Sequence, residues 1–196
     1  MKLKRIIAYI IDSIFVSLIT SMIALISFLN PTINEYNKTY KEYQQFNQDI
    51  VATESEIDTD KLINESTEYY YKLQKYSLST NIIEIFCLVG YFVIFVSSNN
   101  GQSLGKKIMK IRIAPNKGNV KWYNYLVRMI ILNGTWITIL SCIMLFMLPH
   151  KTFYITSMVM TYIGYVIILT DLLFMLFRKD ERSLHDIASN TKVIEA

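Results

Sequence analysis

Three carboxylates stand inside long apolar runs of this sequence: Asp12 in RIIAYIIDSIFV, Glu84 in NIIEIFC and Asp171 in VIILTDLLF. An ionised acid in hydrocarbon is costly, so such a group marks a transport pathway, an ion pair or a folding contact. Two cations lie where they can answer it. Arg5 precedes Asp12 by seven residues, two turns along one helix face. Arg128 opens the third apolar run. Depth sorts the acids. Asp12 and Asp171 each lie about six residues from an end of their runs, roughly 9 Å deep. Glu84 enters from the opposite side and is not expected to meet them. The expectation is therefore a cluster of Arg5, Asp12, Arg128 and Asp171 near one end of the bundle. Two readings of it stay open. In one, carboxylates with adjustable pKa carry protons or coordinate a cation; in the other, a buried salt-bridge network fixes helix register.

The elements that position these groups follow from hydropathy. Of 196 residues, 52% are hydrophobic, and the mean hydropathy is +0.28. That is oilier than an ordinary soluble domain of this length. A spanning helix needs about 20 mostly apolar residues. Four segments qualify: 6–29, 80–96, 125–148 and 153–177. The expected fold is an all-α membrane protein, because lipid gives the backbone no hydrogen-bond partners outside a helix or a closed barrel. The first segment is too long for a signal peptide and lacks an A-x-A site, so it reads as a retained span.

Charge orients the spans. Three basic residues precede the first; residues 31–79 carry five lysines against nine acids; residues 100–122 carry six basic residues and no acid. By the positive-inside rule both termini and the basic linker (98–124) are expected in the cytoplasm, in the cell membrane, with 31–79 outside. The outer loop shows helical spacing in Tyr36, Tyr40, Tyr43 and Ile50 and again in Leu62, Tyr69, Leu73 and Tyr76. An extracytoplasmic helical hairpin is expected there, with a turn in ATESEIDTD. In the linker, KIMKIRI alternates, PNKG has turn chemistry and NVKW reads as a return strand. That predicts a small cytoplasmic β-hairpin, with TKVI near the end as a third strand. Its basic face suits anionic lipid headgroups, at about 1 kcal/mol per Lys or Arg near the surface.

The tail carries its own candidate site. Ser183 can cap a short helix from Leu184, placing His185 and Asp186 in its first turn. Asp186 is then within reach of Lys106, Lys107 or Arg128, and His185 beside a carboxylate can titrate near neutral pH. Other chemistries are excluded or weak. GQSLGKK is one residue short of a phosphate-binding loop and lacks its Ser/Thr. Its glycines read as turns where the chain leaves the bilayer. No protease or hydrolase motif is present, so no enzyme activity is expected. Cys87 and Cys142 fit neither a disulfide framework nor a zinc site, so no metal and no cofactor is expected. A basic stretch held against a membrane disfavours nucleic acid.

Together, RIIAYIID (Arg5, Asp12), GQSLGKKIMKIRI, LVR (Arg128) and RSLHDIASNTKVI (His185, Asp186, Thr191) make a chain that resembles the RDD family of membrane proteins, named for an arginine and two aspartates. The resemblance covers nearly the whole chain apart from the outer loop. It assigns the arginine to Arg5, the first aspartate to Asp12 and the second to Asp186, with Asp171 as the alternative. The acidic, Tyr-rich outer loop and Glu84 depart from the pattern. The resemblance implies a multi-pass membrane protein whose relatives have been proposed as sodium/proton exchangers or as accessories to membrane partners. The expected function is a small transporter exchanging cations and protons, with Asp12 and Asp171 as carriers and Arg5 and Arg128 as tuning charges. Four helices make a thin wall for a pathway, so this version expects a homo-oligomer. The alternative is a non-catalytic accessory or regulatory protein that binds a membrane-protein partner.

Overall fold

The computed structural model describes residues 1–52 and 59–196. The first apolar run forms α1 (Lys2–Ala24), shorter at its far end than hydropathy suggests. The Asn30 amide ends it, donating to the Ala24 carbonyl at 3.0 Å and to Thr80 Oγ1 at 3.2 Å. Two amphipathic helices follow, α2 (Ile33–Ala52) and α3 (Thr59–Tyr76), as the helical hairpin requires. Tyr43 and Phe46 pack on Tyr69, with ring centroids 5.6 and 5.4 Å away. The turn expected within ATESEIDTD lies largely outside the described residues. The hairpin leans on α9 (His150–Phe177): Tyr70 meets Phe153 at 5.9 Å and Tyr71 stacks on His150 at 3.7 Å.

The second run is continuous from Leu78 to Ser98. It comprises α4 (Leu78–Leu88), a wider π-helical stretch (Val89–Phe95) and a last turn, α5 (Val96–Ser98). The stretch turns three consecutive side chains, Tyr91, Phe92 and Val93, into the core. Insertions of this kind are frequent at functional sites.

The third run is not one straight helix. It divides into α7 (Trp122–Leu132) and α8 (Thr135–Met147), bent by 75°. The break falls on Asn133-Gly134, where Gly134 adopts φ 63°, a left-handed conformation that costs glycine nothing. Among the described residues three helices are long and apolar enough to cross a membrane, and four if the bent pair counts as one span. In their most apolar windows only 22%, 22% and 17% of residues are buried within the chain. Helices that are apolar all round and still exposed have their solvent in hydrocarbon.

The linker also departs from expectation. KIMKIRI does not form a single strand, because residues up to Ile108 belong to a five-residue helix, α6 (Leu104–Ile108), capped by Ser103. β1 (Ile111–Pro115) pairs antiparallel with β2 (Thr191–Glu195), with Ile113 opposite Val193. NVKW is not the return strand. Asn124 caps the next helix by accepting from the Lys121 N–H at 2.7 Å, and the buried set Tyr125, Arg128 and Met129 has helical spacing. The sheet among the described residues is therefore linker against tail. The apolar core joins Val16 of α1, Leu88, Phe92 and Val96 of the second run, Ile113 of β1 and Met129 of α7.

Candidate functional site

One face of α1 carries the site: Arg5, Ala8, Asp12 and Val16, all buried, at spacings of three or four. Two short helices fold back against this face. The first is α6. Its Ser103 donates to Asp12 Oδ2 at 2.5 Å, and its Gly105 N–H donates to Oδ1 at 2.8 Å. Lys106 Nζ stands 3.7 Å from Oδ2, and Tyr91 donates from the π-helical stretch at 2.6 Å. Asp12 is fully buried with its oxygens saturated. Gly105 makes this approach possible: a Cβ there would stand 2.2 Å from the Ala8 carbonyl oxygen.

The second is α10 (Leu184–Ala188), capped by Ser183 as expected. The Asp186 carboxylate reaches back to accept from the Ser183 N–H at 3.1 Å. It also receives Arg5 on one oxygen and Arg128 on the other. Arg128 donates further to Thr191 Oγ1 at 2.5 Å, and Arg5 to the Glu181 carbonyl. The His185 N–H donates to Asp171 Oδ1 at 2.8 Å, and its ring Nδ1 lies 2.8 Å from Oδ2.

The anticipated residues gather in one region; Asp186 meets Arg128, one of its three expected partners, but the cluster of Arg5, Asp12, Arg128 and Asp171 pairs differently. Asp12 takes Lys106 rather than Arg5. Both arginines converge on Asp186, and Asp171 takes His185. Equal depth placed Asp12 and Asp171 together; the partners come instead from segments folding back between the helices. Sequence reasoning misses Tyr91, Ser103 and Gly105; it places Lys106 only beside Asp186, Ser183 only as a cap and Thr191 only in the tail motif. Their signal is a repetition. Ser103-Leu104 and Ser183-Leu184 each open a five-residue helix. Lys110 and Asn190 each follow with positive φ, 55° and 52°, and each unit ends in a strand of the shared sheet. At the same place in the two units stand Lys106 and Asp186, of opposite sign, each meeting its counter-charge on α1.

Electrostatics follow from burial. Desolvation lowers the Lys106 ammonium to about 8, against the pull of Asp12. Burial, then the positive charge of Arg128, lowers the His185 imidazole, against the hydrogen bond to Asp171. His185 is thus neutral at neutral pH. Burial opposes ionisation of Asp186, but Arg128 and Arg5 outweigh it and hold the carboxyl well below its usual range. With His185 neutral, three cations (Arg5, Lys106, Arg128) balance three carboxylates (Asp12, Asp171, Asp186).

Arg5, Lys106, Arg128, Asp171 and His185 border a cavity of about 340 Å³ with apolar walls from Ile6, Leu132 and Ile168. A second cavity of about 370 Å³ adjoins it, sharing Tyr9 and Asn133. Tyr9 donates to Asn133 Oδ1 at 3.4 Å between the two. Glu84 lines the second cavity, away from the charged network. Among the described residues no group of three or more His, Cys, Asp or Glu could hold a metal ion.

These features define a helical protein built for a membrane, with a buried network of paired charges closing one end of the bundle. The RDD family model matches residues 2–190, and the chain belongs to the RDD family. No curated protein and no solved structure matches it.

Proposed function

We propose that the chain is a cation/proton exchanger of the cell membrane, with four spans and both termini in the cytoplasm. Orientation rests on charge. Lys107, Lys110, Arg112, Lys117 and Lys121 are exposed on the linker, beside exposed Trp122 and Tyr123. Basic and aromatic side chains of this kind suit anionic headgroups on the cytoplasmic face. The observation that carries exchange is the broken helix beside the buried charges. The 75° bend at Asn133-Gly134 lies where the two cavities meet. Discontinuous spans beside intramembrane carboxylates are how many transporters hold ions. Arg5, Asp186 and Arg128 form the frame; Asp12 with Lys106 and Asp171 with His185 handle protons. No enzymatic step is assigned to them.

The test is ion flux in proteoliposomes. Wild type exchanges cations against a proton gradient, and Asp12→Asn, monodisperse and of matching helicity, loses at least tenfold in rate. A silent wild type overturns exchange. The second reading, an accessory that binds a membrane partner, draws on the hairpin: α3 seats its aromatic face on α9 while Tyr40 of α2 stays exposed. A silent wild type that co-purifies with one membrane protein supports it.

A further inference from the structure

Along α1, one turn apart, run Tyr9, Ser13, Ser17 and Ser21, with Thr20 beside them; they face Glu84 across the second cavity. α1 and the second run are antiparallel, since Asp12 meets Tyr91 while residues 17–21 lie by Glu84. Glu84 therefore stands seven residues, roughly 10 Å, from the charged network. Two features set this groove apart. Among the described residues no ion pair or hydrogen bond reaches Glu84. Thr20 Oγ1 is buried without a hydrogen-bond partner, and the Ser13 hydroxyl has only the Tyr9 hydroxyl beside it. A carboxylate and an unsatisfied hydroxyl at membrane depth are costly when left to hydrocarbon, so something polar fills the space.

The lining chooses the occupant. Every ligating atom offered by Glu84, Ser13, Ser17, Thr20 and Ser21 is oxygen, which suits a hard cation. No Lys or Arg lines the groove. Its other titratable lining group is Tyr9 from α1; beyond the lining, Cys142 of α8 lies against Asn81 of α4. One carboxylate neutralises one positive charge; a divalent ion would keep one charge unpaired beside hydrocarbon. We propose that the groove between α1 and α4 is a binding site for a small monovalent cation such as sodium, and that a proton competes with it for Glu84. Entry of the ion converts the carboxylic acid to a carboxylate and sends one proton to water, so charge in the groove is conserved. Tyr9 and Asn133 stand between this site and the charged network. The proposal deepens the exchange reading, on which its physiological role rests.

The closing experiment reads binding without transport. Full-length protein in detergent is titrated with sodium chloride, against choline chloride, in weak buffer containing a pH dye, alongside radioactive sodium binding. Wild type takes up sodium and releases about one proton, and its affinity falls about tenfold per unit of acidification below the carboxyl pKa. Glu84→Gln, eluting and melting like wild type, does neither. Ser13→Ala with Thr20→Ala weakens binding at least fivefold, and decides the matter if Glu84→Gln fails to fold. Sodium binding retained in Glu84→Gln, unchanged in the double variant, or absent in wild type overturns the site. Glu84-dependent binding without flux in proteoliposomes sinks the exchange reading and leaves the site standing. Flux that ignores Glu84→Gln does the reverse.

Discussion

The two polar regions of this bundle differ in how their charges are settled. At the end closed by α6 and α10, each carboxylate has a cation or imidazole beside it, and Asp186 has two arginines. In the groove between α1 and α4, Glu84 has no such partner among the described residues. Paired buried charges are hard to remove singly, because the survivor is stranded in a low-dielectric site. An unpaired one is removed at little cost, because the folded protein gains nothing from it. The frame of Arg5, Asp186 and Arg128 in the first region therefore holds the structure, and the second region is free to change occupant.

The sharpest break between them comes from two amide substitutions. Asp186→Asn leaves Arg5 and Arg128 buried without their shared counter-charge and costs roughly 3–5 kcal/mol. Glu84→Gln leaves stability unchanged or slightly raised. Thermal unfolding in one detergent compares them. Equal losses from the two would erase the difference between the paired and the unpaired carboxylate.

Next in size is Gly105→Ala. The added methyl meets the Ala8 carbonyl oxygen and forces α6 off α1, pulling the Gly105 N–H from Asp12. The expected cost is about 1–3 kcal/mol. Because the obstacle is backbone, adding Ala8→Gly does not restore the loss. Gly90→Ala, where a Cβ meets nothing within 4 Å, is the control. Recovery in the double variant would place the clash elsewhere.

That glycine shows where the sequence is legible and where it is not. The apolar runs and the alternation of charge read directly, because hydrocarbon imposes them residue by residue. The bend in the third run was also written, as Asn133-Gly134, but two turn-forming residues are easily lost inside an apolar stretch. The pairing of charges was less accessible. Depth along a helix is a one-dimensional measure, and it set Asp12 beside Asp171, whereas each takes its partner from a returning segment. It carried no sign that residues 103–106 and 183–186 return between the helices, which is a matter of tertiary packing. The resemblance of SLGKK to SLHDI was the available clue. TKVI was read as a third strand; with Lys121 capping α7 and Trp122 opening it, NVKW forms no strand and TKVI is the direct partner of β1.

The smallest expected effect is a pH dependence peculiar to the saturated end. Burial and Arg128 hold the folded His185 imidazole below its ordinary value. Below about pH 6.5 the unfolded chain takes up a proton that the folded chain refuses. The unfolded state then binds more protons, so stability falls as pH drops, by at most about 1.4 kcal/mol per unit. The fall begins above the range where carboxylates titrate, so the window between about pH 6.5 and pH 4.5 isolates it. Unfolding midpoints taken through that window should decline in wild type. They should flatten in His185→Gln, whose amide can still donate to Asp171 without gaining charge. Glu84→Gln should keep the wild-type slope. If His185→Gln declines as steeply as wild type, the imidazole is not the group that the saturated network holds neutral.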